Sequence, residues 1–162
     1  MNSTLESRIR DRLDTSWLTP SQKIVWEAIQ RFDGPPHRAI NIYGAEGTGK
    51  TFLGWLLQRL DYSTYRIWPD TQKPLLPRLT LDDVAPSRVI ARSLRPLVDT
   101  HVIQQIILLT RTRVDEKAMP AFELHILEED MEFFRANLYR HLQIIVPESD
   151  SRNFKAALER IN

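Results

Sequence analysis

Eight consecutive residues carry the densest chemistry in the chain: Gly44-Ala45-Glu46-Gly47-Thr48-Gly49-Lys50-Thr51. They satisfy the pattern G-x-x-x-x-G-K-[ST] at every fixed position. The residue types suit the holding of phosphate. Glycines let the backbone turn back so that successive N–H groups converge on one concavity. A helix starting near Gly49 would aim the positive end of its dipole at the same point. The Lys50 ammonium can reach the outer phosphates of a nucleoside triphosphate, and the Thr51 hydroxyl can ligate Mg²⁺.

The flanks supply the setting such a loop needs. Ala39-Ile40-Asn41-Ile42-Tyr43 reads as a short buried strand, and Phe52-Leu53-Gly54-Trp55-Leu56-Leu57-Gln58-Arg59-Leu60 as a mostly apolar helix. Strand, glycine loop and helix in that order separate a phosphate loop from a chance turn before a core helix. On these residues the chain resembles the P-loop NTPases. The resemblance implies that Gly44, Ala45, Glu46, Gly47, Thr48, Gly49, Lys50, Thr51 and Phe52 bind ATP or GTP, with Mg²⁺ on Thr51.

Other candidates follow along the chain. Arg78-Leu79-Thr80-Leu81-Asp82-Asp83-Val84 is a short β-prone run ending in two acids, and it resembles a Walker B strand. That chemistry needs the first carboxylate at the strand tip, sharing the Mg²⁺ shell with Thr51. It needs the next residue to face the γ-phosphate and orient or deprotonate water. Asp82 fits the metal role and Asp83 the catalytic one. Many relatives carry glutamate at the second place, and aspartate is one methylene shorter. That bears on the rate of hydrolysis more than on the metal. A strand-to-turn junction that merely holds two aspartates is the bland alternative. Thr110 ends an apolar run and matches the polar sensor 1 position of AAA+ ATPases, where a side chain touches the attacking water or the γ-phosphate. A plain strand-end threonine would look the same. Arg111 and Arg113 stand next, at the edge where open α/β sheets bind ligands. With Lys50 they are candidates for catalysis, in this subunit or a neighbouring one, unless they are ordinary surface arginines. Gln22 resembles the adenine-reading glutamine of helicase-type ATPases. Equally, Thr19 and Gln22 spell a capping box with Pro20 at the first helical position.

Several elements must position these groups. Ser3-Thr4-Leu5-Glu6 looks like a capping box, and Leu5, Ile9 and Leu13 form one apolar stripe. Arg8, Arg10 and Arg12 beside it suit a solvated face or, less simply, a nucleic-acid contact. A second amphipathic helix carries Ile24, Val25, Ala28, Ile29 and Phe32 and ends at Gly34-Pro35-Pro36. Thr64-Tyr65-Arg66-Ile67-Trp68 is a plausible second strand, stopped by Pro69. Residues 87–94 read as a helix with Arg88, Arg92 and Arg95 on one face, able to meet nucleic-acid phosphates or an acidic partner, or simply solvated. Residues 102–110 suit a strand buried on both faces of a parallel sheet. Residues 121–126 should be a fifth strand and 128–142 a strong amphipathic helix. Asp150 or Ser151 would cap a last short helix.

Composition bounds the function. With 162 residues and net charge +1 there is room for one real core and no bulk field toward nucleic acid or membrane. No cysteine is present, which excludes disulfides and thiolate metal sites. The polar N-terminus is no signal peptide, and no apolar run approaches membrane-spanning length. We expect a cytoplasmic protein with no membrane contact. Residues 1–162 read as one nucleotide-binding domain: N-terminal helices over 1–36, an α/β core over 37–142 and a C-terminal helix over 143–162.

The order of parts resembles the RecA-like and AAA+ branch of P-loop proteins. It looks most like replication initiators, helicase loaders and transposition ATPases. The resemblance implies a three-layer α/β/α sandwich with a parallel five-stranded sheet in the order 5-1-4-3-2. It implies an ATPase acting as subunit or regulator of a larger assembly, with DNA among its partners. The chain also departs from that pattern. Residues 111–120 are too few for a helix bearing an arginine finger, and no helical lid follows residue 142. The site is therefore expected to need a protein partner or a second copy to complete it. Two other readings stay open: a small P-loop kinase, and a nucleotide-gated adaptor that does not hydrolyse.

Overall fold

Alternate residues of the most apolar segment feed two separate cores. In β4 (Gln105–Thr110) Ile107 and Leu109 pack on one side of the sheet, Ile106 and Leu108 on the other. A strand so placed must be central, and its continuous apolar run follows from that. The structure is a computed structural model and describes residues 3–33, 38–70, 76–85, 94, 103–115, 119–148 and 152–161.

Four further strands complete the sheet: β1 (Ala39–Tyr43), β2 (Thr64–Ile67), β3 (Arg78–Val84) and β5 (Ala121–Glu123). The order is β2-β3-β4-β1-β5 and every pairing is parallel, as the order 5-1-4-3-2 requires. β4 therefore stands between β1 and β3. Tyr43 and Val84 both pair with Thr110, so the carboxyl ends of β1, β3 and β4 meet at one edge. β4 begins at Gln105 rather than 102. β5 ends at Glu123 rather than 126, although the Leu124 N–H still donates to the Tyr43 carbonyl at 2.7 Å.

Among the described residues the helices include α1 (Ser3–Asp11), α2 (Pro20–Arg31), α3 (Lys50–Arg59), α4 (Glu128–Leu142) and α5 (Phe154–Glu159), with a 3₁₀ turn at Thr15–Trp17. Residues of all five helices join Ile40, Ile42, Ile107 and Leu109 in the larger core. The smaller core, on the other face, holds Leu79, Leu81, Ile106 and Leu108 with Leu94, Val114 and Met119. The expected arginine face of Arg88, Arg92 and Arg95 lies outside the described residues.

The N-terminal arginines are exposed, as a solvated face requires, and they also make contacts within the chain. Arg8 donates to the Leu142 carbonyl at 3.2 Å and Arg12 to the His141 carbonyl. Those oxygens belong to the last turn of α4, where helical carbonyls lack partners. Arg10 lies 5.2 Å over the Trp55 ring. The basic run docks α1 onto α4 and α3.

Asp130 ties α4 to α2. It is fully buried, and its carboxylate accepts the Ser21 N–H at 2.9 Å, the Ser21 hydroxyl at 2.7 Å and the Leu127 N–H at 2.8 Å. Burial disfavours its charge, but the bonds from Ser21 and Leu127 outweigh it and hold the pKa below the usual value. A lowered folded pKa means stability that is whole above the unfolded value, about 4, and lost as pH falls through the folded one. Asp130→Asn should therefore cost about 2 kcal/mol at neutral pH. The gap should narrow below about pH 4. Urea denaturation of both proteins at the two pH values checks this.

Candidate functional site

The glycine loop leaves β1 and enters α3 under tension from both sides. The Gly44 N–H donates to the Thr110 carbonyl at 3.2 Å, which anchors the loop's start to β4. Gly47 and Gly49 then adopt φ of 82° and 88°, left-handed backbone that side-chain-bearing residues rarely accept. At Gly47 the space is also taken, since an added Cβ would lie 2.0 Å from the Asn153 carboxamide oxygen.

Lys50 begins α3 with its side chain folded back into the loop. Its ammonium donates to the Gly44 and Ala45 carbonyls at 2.7 Å each and lies 3.3 Å from the Thr48 hydroxyl. Thr48 in turn donates to the Ala45 carbonyl at 3.0 Å. Desolvation lowers the Lys50 pKa, and the nearby carboxylate of Asp82 opposes that shift. A cation held by neutral oxygens in a partly dry loop is poised for an anion.

The Thr51 hydroxyl donates to Asp82 Oδ2 at 2.7 Å. Tyr65, on β2, donates to the same oxygen at 2.6 Å. Asp82 Oδ1 accepts the Asp83 N–H at 2.8 Å. Hydroxyl and carboxylate oxygens converging at one point suit a hard cation such as Mg²⁺. Among the described residues no group of three or more His, Cys, Asp or Glu could hold a metal. Mg²⁺ commonly takes one or two protein carboxylates and completes its shell from phosphate and water, so this donor set fits it. Asp83 has φ 56°, where the β3–β4 register shifts between Leu81 and Val84. On a regular strand neighbouring side chains point to opposite faces; a bulge re-aims one of them. Asp82 and Asp83 both line the same cavity.

That cavity measures about 390 Å³. Gly47, Gly49, Lys50 and Thr51 line its floor, and Trp17, Phe52, Phe134 and Phe154 give it an aromatic wall. The Trp17 and Phe52 rings are 6.0 Å apart and those of Phe134 and Phe154 4.4 Å apart. Phosphate-binding backbone beside an apolar aromatic wall can take a nucleotide, anion at one end and base at the other.

The remaining candidates divide. Arg111 lines the cavity and pairs with Glu46 at 3.6 Å, whereas Arg113 is exposed and outside it. The Thr110 hydroxyl donates to the Thr112 carbonyl at 2.7 Å and accepts from Asn41 Nδ2 at 2.8 Å, so it is already engaged on both sides. Gln22 also lines the cavity but is committed to structure. Its side-chain oxygen accepts the Thr19 N–H at 3.1 Å and its Nδ-equivalent amide, Nε2, donates to the Gly49 carbonyl at 3.4 Å. It caps α2 and props the phosphate loop from beneath.

Sequence reasoning missed three groups. Asn41 is a fully buried polar residue in an apolar strand, and that contrast was its signal. Its carboxamide holds Thr110 and accepts the Val114 N–H at 2.9 Å. Tyr65 gave no signal. The third is the start of α5, capped by Asn153 and not by Asp150 or Ser151, which lie outside the described residues. Asn153 Nδ2 donates to the Glu46 carbonyl at 3.0 Å, the Phe154 N–H donates to the Gly47 carbonyl at 2.9 Å, and Lys155 pairs with the Glu46 carboxylate. Lys155 and then Arg111 hold the Glu46 pKa below its usual value. The expected short C-terminal helix is present, and its first turn sits on the loop.

No known protein-family profile matches the sequence, and no curated protein matches it. Solved structures do match in shape. A DNA replication initiation factor superposes with a TM-score of 0.61 at 14% identity, over 93% of this chain and 61% of the other. AMPPCP-bound DnaA from Aquifex aeolicus gives 0.56 at 16% identity, over 85% of this chain and 58% of the other. The replication initiator DnaA bound to AMPPCP and single-stranded DNA gives 0.58 at 16% identity, over 86% and 58%. The chain thus spans about three-fifths of the length of these structures. At such identities the likeness is one of fold alone.

Proposed function

We propose that this chain is a Mg²⁺-dependent ATP-binding P-loop module that hydrolyses ATP as a subunit or regulator of a larger assembly acting on DNA. One observation carries the reading: Lys50, inside a complete glycine loop, and the Thr51–Asp82 pair face one cavity from the carboxyl edge of a sheet ordered 5-1-4-3-2.

Each residue then has a task. The loop N–H groups from 44 to 51 cradle phosphate oxygens, and Lys50 exchanges the Gly44 and Ala45 carbonyls for the outer phosphates. Thr51 and Asp82 would hold Mg²⁺, which would supply charge neutralisation to the phosphates. Asp83 orients or deprotonates the attacking water. Phe52, Trp17 and Phe154 enclose the base. Gln22 and Thr110 serve by holding the loop and the β4 tip in place. Arg111 stabilises charge at the γ-phosphate. Arg113, outside the cavity, is placed to serve a neighbouring copy or partner. A domain division of 1–36, 37–142 and 143–162 goes with this reading, with the last part seated on the loop.

The kinase reading loses support because β4 separates β3 from β1. Adenine nucleotide and DNA are favoured by the fold's neighbours, since the DnaA structures hold AMPPCP and, in one, single-stranded DNA. No helix among the described residues is long and apolar enough to cross a membrane; the reading places the protein in the cytoplasm.

Calorimetric titration with ATP and GTP, with Mg²⁺ and with EDTA, tests the core of the proposal. Micromolar ATP affinity that weakens in EDTA is expected. No binding of either nucleotide at millimolar concentration would remove the reading.

A further inference from the structure

Tyr65 belongs to no part of the phosphate loop, yet its hydroxyl reaches the metal-facing end of the site. It donates to Asp82 Oδ2 at 2.6 Å, the oxygen that also accepts from Thr51 at 2.7 Å. With the Asp83 N–H on Oδ1, the Asp82 carboxylate receives three donors. The Tyr65 ring lines the cavity beside Asp82 and Ile67.

The fold makes room for this ring. A Cβ added at Gly54, in the middle of α3, would lie 2.6 Å from both Cδ2 and Cε2 of Tyr65. Glycine is among the least helix-favouring residues. Its presence in α3 is explained by the aromatic ring lying across it. A phenylalanine would fill the same space equally well, so packing explains the ring and leaves the hydroxyl to be explained. That hydroxyl has a partner, since it donates to the Asp82 carboxylate.

We propose that Tyr65 is a positioning residue for Mg²⁺: its hydroxyl fixes the Asp82 carboxylate in the orientation that binds the metal. This rests on the nucleotide-site reading above. Two of the three donors to Asp82 have other duties or little reach. Thr51 would give its oxygen to a bound cation, and the Asp83 N–H lies on a bulge and grips only Oδ1. Tyr65 holds Oδ2 from a neighbouring strand and is free of duties in the phosphate loop. Outer partners of this kind commonly change metal affinity ten- to a hundredfold when removed.

The test measures ATP affinity across a Mg²⁺ titration for wild type, Tyr65→Phe and Gly54→Ala, with EDTA as the metal-free baseline. Mn²⁺ binding by electron paramagnetic resonance in the presence of ATP gives a second readout. Tyr65→Phe should raise the metal concentration at half-effect by about tenfold. Its ATP affinity in EDTA should equal that of wild type. Gly54→Ala, which displaces the ring and leaves the hydroxyl in the chain, should shift the metal midpoint in the same direction. An unchanged midpoint in Tyr65→Phe overturns the proposal, as does a parallel loss of metal-free affinity, which would make the hydroxyl a structural bond. If wild type itself binds no nucleotide, the function reading fails and the Tyr65 role falls with it. If wild type binds Mg²⁺ and ATP while Tyr65→Phe matches it, only the Tyr65 role fails.

Discussion

Lys50→Ala should abolish measurable ATP binding while leaving the fold intact. The ammonium is the one cation inside the loop, 2.7 Å from the Gly44 and Ala45 carbonyls. The loop keeps its shape by other means: the Gly44 N–H on the Thr110 carbonyl, and the Asn153 and Phe154 bonds to the carbonyls of Glu46 and Gly47. Alanine therefore removes the charge and leaves the cradle. Truncating one member of a desolvated charge pair costs about 2–5 kcal/mol. At the middle of that range the dissociation constant rises by roughly a hundredfold or more. Calorimetry with ATP and Mg²⁺ reads the loss, and thermal unfolding reads the fold. Wild-type affinity in the mutant would remove Lys50, and with it the phosphate loop, from the proposed site.

The loop was readable from the sequence because it is local, whereas the sheet order came from the resemblance to the RecA-like and AAA+ branch and from the order of parts. A phosphate loop is a backbone shape, and its glycines, lysine and threonine are set by residues a few positions away. The central strand follows from the apolar run at Ile106-Ile107-Leu108-Leu109, which only a strand buried on both faces needs. The groups that were not readable all depend on chain segments meeting from afar. Tyr65 reaches Asp82 across a strand pair, and nothing in Thr64-Tyr65-Arg66-Ile67 foretells it. Arg8 and Arg12 are exposed as expected, but their bonds to α4 were not foretold because the carbonyls they satisfy lie far off in sequence.

The last helix shows the same limit. Asp150, Ser151 and Asn153 are all residue types that cap helices. Asn153 caps α5 in the structure, and its amide nitrogen also reaches the Glu46 carbonyl. That second bond lies across more than a hundred residues of sequence, so no local rule could choose among the three. Its consequence alters the site. Lys155 comes to Glu46 beside Arg111, so two cations and one carboxylate share the rim of the loop.

Asp83→Asn should leave ATP binding nearly unchanged and slow turnover by about a hundredfold or more. Asp83 sits at φ 56°, and asparagine is among the residues that tolerate left-handed backbone best. The bulge that aims this side chain into the cavity should therefore survive the change. The metal pair should survive as well, since Asp83 contributes only its N–H to Asp82. What asparagine removes is the ability to accept a proton from water, at unchanged size and backbone. An alanine there would confuse that loss with strain at the positive φ. Phosphate release under saturating ATP, set beside ATP affinity from calorimetry, separates chemistry from binding. Equal turnover in wild type and mutant would show that Asp83 is not the base. Loss of binding with turnover would show that the bulge, and not the carboxylate, is what the site depends on.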